Sequence, residues 1–121
     1  MGEPIKSYRD LIAWQKAYAL GKSVYRLAST LPEAERFGLI ASLRRLSVSI
    51  SSSIANGYGR GNTVDYLWHL KNARGDLYQI DTQLLFVLDF KYIDDEGYRN
   101  VKAELDESER VLAGLIRSLE R

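Results

Sequence analysis

The stretch RRLSVSISSSIANGYGRG, Arg44 to Gly61, decides the fold. Its alternation points to a strand, its glycines to a phosphate loop and its hydroxyls to a catalytic serine. Leu46, Val48 and Ile50 do alternate, but only over those positions. Leu39, Leu43, Leu46, Ile50 and Ile54 recur instead at steps of three and four, the period of one helix face. The segment therefore reads as a helix. Ser42, Ser47, Ser49 and Ser53 flank its apolar stripe, where small side chains let a neighbouring helix approach closely. Gly57, Gly59 and Gly61 then end it and open a loop.

The same spacing extends in both directions. Upstream, Leu11, Trp14, Tyr18, Gly21, Tyr25 and Ala28 place a helix from about Asp10 to Ser29, closed by Leu31-Pro32 because proline disfavours a helical residue before it. Downstream, Thr63 is positioned to cap a third helix that carries Tyr66, Leu70, Ala73, Leu77, Ile80, Leu84 and Val87. Asp94, Asp95 and Glu96 suit the start of a fourth, with Tyr98, Val101, Leu105, Ser108, Leu112, Leu115 and Leu119 on its face. Four amphipathic helices with short links predict an all-α, antiparallel up-down-up-down four-helix bundle. No repeat, low-complexity tract or linker divides the pattern, so residues 1–121 form one domain with one core.

The charges nearly cancel, 17 basic against 16 acidic, so overall charge gives no global pull toward nucleic acid or an anionic membrane. They are unevenly placed: residues 1–75 hold eleven Lys/Arg and five Asp/Glu, whereas 76–121 hold six and eleven. With no cysteine, disulfide frameworks, zinc ribbons and thiol nucleophiles are excluded. The opening MGEPIKSYRDLIAW lacks the apolar core of a signal peptide, and no run of about eighteen apolar residues is present to span a bilayer. The expectation is a soluble, cytoplasmic protein that uses no membrane.

No residue set identifies a reaction. GYGRGN lacks the Lys-Ser/Thr ending of a P-loop, has Asn62 where a dinucleotide fingerprint needs its third glycine, and follows a helix rather than a strand. His69 is the only histidine. Asp65 stands one turn before it, yet no third group is tied to the pair, and a structural histidine is the favoured reading. Glu104, Asp106, Glu107 and Glu109 alternate with Lys102 and Arg110 as on a solvated helix face, and no Glu-x-x-His motif of a di-iron bundle occurs. We expect no catalytic residue, metal or cofactor, and no enzyme activity.

A lone bundle leaves apolar surface unexplained. On the first helix Leu20, Val24, Leu27 and Leu31 form a second stripe about 120° from the first, an apolar arc of roughly 200°. On the third, Trp68, Phe86 and Phe90 project opposite the buried face, with Gly75 between them. These residues predict a homo-oligomer interface. Arg44 and Arg45, beside the small residues Ala41, Val48 and Ala55, suit either an acidic neighbour or a phosphate.

The segments YRDLIAWQKAYAL (8–20), VYRL, the link LP, FGLIASLRRLSVSI, SIANGYGR and LKNARGDLYQIDTQL resemble the four-helix bundle family encoded by intervening sequences in bacterial 23S ribosomal RNA genes, also labelled S23 ribosomal proteins. The similarity spans nearly the whole chain and is sharpest at Asp10-Leu11, Trp14-Gln15-Lys16, Arg44-Arg45, Ser49-Ile50, Gly57, Arg60 and Gly75. It implies an up-down bundle that assembles as a ring-shaped homopentamer, and a link to nucleic acid. Members of the family are not known as enzymes. A distant relative, the accessory protein of diversity-generating retroelements, works with a reverse transcriptase, which makes such a partner an analogy here. The chain departs from the family pattern at Ser51-Ser52-Ser53, at Asn56 and at Gln79, the last two being amides where relatives carry acids. If those acids balance Arg44 or Arg45 in relatives, the arginines here are freer for an external anion.

Two functions of different class follow. In one, a homo-oligomeric scaffold binds RNA or DNA through Lys16, Lys22, Arg26, Arg44, Arg45 and Arg60. In the other, an adaptor meets only proteins and the same cations keep it soluble. The near-neutral chain favours the second and the family resemblance the first.

Overall fold

The chain's computed structural model describes residues 4–121. Helices α1 (Ile12–Ala28), α2 (Ala41–Tyr58), α3 (Thr63–Asp89) and α4 (Asp95–Glu120) follow one another in sequence. Each packs on the next and α4 returns to α1, giving the up-down-up-down bundle. Twelve large side chains are fully buried at its centre, among them Leu20, Leu43, Ile50, Leu77, Leu105 and Ile116.

The helix ends are set by local chemistry. Ahead of α1, Ser7 caps a single 3-10 turn (Tyr8–Asp10), and Asp10 accepts from the main-chain N–H groups of Lys6 and Ser7 at 2.8 and 3.2 Å. Asp10 is thus occupied in the turn, and α1 starts two residues later than the periodicity placed it. The N-cap of α3 is Asn62 rather than Thr63. Its amide oxygen accepts from the Asp65 N–H at 2.9 Å and its NH2 donates to the Asp65 carboxylate at 3.1 Å, while Thr63 is already the first helical residue. Asp94 caps α4 by accepting from the Gly97 N–H at 2.7 Å.

The α1–α2 link holds a feature outside the sequence reading. A π-type turn (Arg36–Ile40) with Gly38 at φ −108° and ψ −108° leads into α2. The Glu35 carboxylate accepts from the Leu39 N–H at 3.5 Å and from the Tyr92 hydroxyl at 2.9 Å. The two connections at this end of the bundle are therefore tied together.

The serine-rich helix is built for close approach. Ser47 and Ser51 are buried, Ser47 donates to the Arg44 carbonyl at 2.8 Å, and Ser49 donates to Asp76 of α3 at 2.6 Å. Gly21 of α1 lies against the Ser47 main-chain carbonyl, with no space for a side chain. Gly57 does not stop α2. It lies inside the helix and is buried, where an added Cβ would sit 2.7 Å from His69 Cβ. The chain turns later, at Gly61 with φ +78°, a conformation glycine adopts freely.

The face of α1 differs from the one expected. Ala13, Ala17, Leu20, Val24 and Ala28 line the core and Leu31 is buried just beyond the helix, while Leu27 packs against the core's edge. Leu20, Val24, Leu27 and Leu31 are therefore part of the protomer's own interior rather than a second, outward stripe. The physical reason is that alanine and glycine let the α1 and α2 backbones come together, while tyrosines at the same spacing keep their hydroxyls in water. Tyr18 and Tyr25 stand 47% and 45% exposed on the flank facing α2. On α3, by contrast, Trp68, Phe86 and Phe90 do point away from the core, and nothing lies within 4 Å of a Cβ built at Gly75.

Candidate nucleic-acid interface

The six cations singled out from sequence do not form one patch. Lys22 and Arg26 lie on the exposed side of α1, and Arg44 of α2 reaches across to Tyr25 and Ser29, its guanidinium over the Tyr25 ring and one amino group donating to Ser29 Oγ at 3.1 Å. Arg45, the next residue, turns about 100° away to the α3 side of α2. The Ser49–Asp76 hydrogen bond sets the α2–α3 register on that side. Lys16 lies on the opposite flank of α1: Arg110, and further off Lys16, hold the Glu107 carboxyl below the usual range. Arg60 sits in the α2–α3 loop, sixteen residues and about 24 Å along the helix from Arg44.

What the structure does assemble is a groove between α1 and α2. Its walls are Tyr18 and Tyr25 and its floor is Gly21, Ser47, Val48 and Ser51, enclosing a volume of about 160 Å³. Lys22 Nζ lies 4.8 Å from the Tyr18 ring centroid and the Arg44 guanidinium carbon 5.3 Å from that of Tyr25. The aromatic row continues along α1: Trp14 stacks on Tyr18 at 4.9 Å with ring planes 9° apart, and Tyr8 meets Trp14 edge-on at 5.3 Å. Among the described residues, Lys22, Arg26, Arg44 and Arg45 have no carboxylate within 4.0 Å, whereas Arg36, Lys71, Lys102 and Arg110 do. The Arg44 Nε is buried without a hydrogen-bond partner.

Sequence reasoning missed the tyrosines. The signal was present in the series Tyr18, Lys22, Tyr25, but the three-four spacing assigned both rings to the core. The acidic face of α4 is largely exposed but tied to its neighbours at several points: Glu104 accepts from Ser23 of α1 at 2.9 Å and Glu120 pairs with Lys71 of α3. Lys102 donates to Asp81 of α3 at 3.0 Å and pairs with Asp106, contacts that raise its pKa above the ordinary lysine range. His69 is buried against Gly57 and meets Trp68 edge-on at 4.8 Å, and the Asp65 carboxylate is engaged by Asn62 instead. No cluster of three His, Cys, Asp or Glu residues able to hold a metal occurs among the described residues.

Fold and face together define a class: an all-α up-down bundle with cations set on exposed tyrosine rings. The model of the 23S rRNA-intervening sequence protein family matches residues 9–114, and the chain belongs to that family. A crystal structure of a protein of unknown function from the S23 ribosomal protein family of Bacteroides thetaiotaomicron superposes with a TM-score of 0.80. It is 18% identical over 88% of this chain and 96% of that one, a likeness of fold. No curated protein matches the chain.

Proposed function

We propose that the chain is a non-enzymatic, homo-oligomeric scaffold that binds RNA or DNA on its α1–α2 face. The observation that carries this reading is the pairing of Lys22 with Tyr18 and of Arg44 with Tyr25, exposed rings bearing cations that no carboxylate neutralises. Phosphate attracts such cations, and aromatic rings interleaved with them are the surface chemistry of nucleic-acid binders. Arg26 lies further round the exposed side of α1, while Arg45 on the α3 side of α2, Lys16 and Arg60 lie apart from this face. Oligomerisation is supported by the outer side of α3, where Trp68, Phe86 and Phe90 are 62%, 50% and 53% exposed. A ring of five, the assembly that the family resemblance implies, would present several such faces at once. No helix of the described residues is long and apolar enough to cross a membrane, and we place the protein in the cytoplasm.

The test is a filter-binding titration against structured RNA and duplex DNA at two salt concentrations. Affinity is expected to fall steeply with salt, each phosphate contact adding about 0.7 to the logarithmic slope on single strands and about 0.9 on duplex. Arg44→Gln and Lys22→Gln should each flatten it by about one contact. Absence of binding at either salt concentration would instead favour a protein adaptor, the reading for which the exposed α3 aromatics and the near-neutral charge speak.

A further inference from the structure

We infer that the groove between Tyr18 and Tyr25 receives an unpaired base, so that the ligand of this face is single-stranded nucleic acid. The inference rests on the nucleic-acid reading above and sharpens it. Seven residues separate the two tyrosines, two helical turns or about 10.5 Å, and both rings are half exposed on one flank of α1. The space between them is not accidental. Gly21 lies midway along that flank, and because its α-carbon abuts the Ser47 carbonyl no side chain is able to fill the gap. Small residues Ser47, Val48 and Ser51 complete the floor, leaving about 160 Å³ between aromatic walls. A volume of that size suits one flat ring and not a base pair.

The rim supplies what a strand's backbone needs. Lys22 and Arg44 rest on the rings, and a phosphodiester would draw them outward onto its oxygens, uncovering the aromatic faces. Stacking a base on an aromatic side chain is stronger than the exposed cation–π contact it replaces, by about fivefold to tenfold in binding. Trp14, stacked on Tyr18 from the N-terminal side, holds that wall in place and makes it a reporter.

The experiment is fluorescence anisotropy with labelled oligouridylate, oligothymidylate and a blunt-ended duplex of equal length, at matched low salt, followed by Trp14 emission in a Trp68→Phe background. Single strands are expected to bind more tightly than the duplex and to change Trp14 emission saturably, and the two single strands report whether ribose matters. Tyr18→Leu and Tyr25→Leu should each weaken single-strand binding about tenfold without altering the salt slope, while Tyr25→Phe retains affinity. Lys22→Gln and Arg44→Gln should alter the slope instead. Equal affinity for duplex and single strand, unchanged Trp14 emission at saturation, or leucine variants that bind normally would each overturn the base slot while leaving a phosphate-binding face. Failure of every probe to bind at low salt would overturn both.

Discussion

Gly21 of α1 and Ser47 of α2 meet backbone to backbone, the glycine α-carbon against the serine carbonyl, with no space for even a methyl group between them. The contact lies between the core beneath and the groove above, and leaves the groove unfilled.

Gly21→Ala should therefore destabilise the fold by about 1–3 kcal/mol, the range for forcing an extra carbon into a packed interface, despite alanine's better helix propensity. Urea denaturation should show the midpoint fall with an unchanged slope. A variant as stable as the parent would mean that the two helices have slack the structure does not show.

Two other glycines carry opposite signs. Gly57→Ala meets His69 and should cost about 1–3 kcal/mol, whereas Gly75→Ala, with open space around it in the middle of α3, should add about 0.5–1 kcal/mol by propensity alone. Thermal denaturation of the two variants side by side tests the contrast. If Gly75→Ala lowers stability in the assembled protein, that position is packed against a partner.

Lys102 sets a prediction in pH. Its pKa is raised by the hydrogen bond to Asp81 foremost and then by Asp106, against some opposing burial. A raised lysine value contributes stability that is complete below the unfolded pKa of 10.5 and is lost as pH rises through the folded one. For this partly exposed pair the contribution is about 0.5–1 kcal/mol. The stability gap between the parent and Lys102→Met should stay constant from neutral pH to about pH 10 and narrow only above it, as urea titrations across that range would reveal.

Trp68→Ser and Phe86→Ser should lower the molar mass seen by light scattering while leaving the far-ultraviolet circular dichroism of the bundle intact. Both side chains are exposed on α3 and neither is part of the core. A monomeric parent at micromolar concentration would remove the assembly reading.

The bundle was legible in sequence because α2, α3 and α4 each carry one dominant stripe, as Leu43, Leu46, Ile50 and Ile54 do. On α1 two stripes satisfy the same period and share Ala28: Trp14, Tyr18 and Tyr25 in one, Ala13, Ala17, Leu20 and Val24 in the other. Aromatic bulk favours the first on paper. The second wins in the fold because small side chains permit contact that Gly21 and Ser47 complete, and because a buried tyrosine hydroxyl needs a partner. Gly57 read as a stop for a related reason, since a glycine that ends a helix and one that admits a neighbour look alike without the neighbour. The cations of the candidate face were visible as residue types. Their division into a Lys22–Arg44 group, a separate Lys16 and a distant Arg60 depends on how far each helix is rotated, which pattern alone leaves open.

The bond between Glu35 and Tyr92 joins residues 57 apart in the chain, one in the α1–α2 link and one in the α3–α4 link. Most contacts between helices consecutive in the chain are closer in sequence than this one. As a long-range contact it is expected to form late, so Tyr92→Phe should speed unfolding while leaving the refolding rate nearly the same. Stopped-flow unfolding and refolding limbs report the two rates separately.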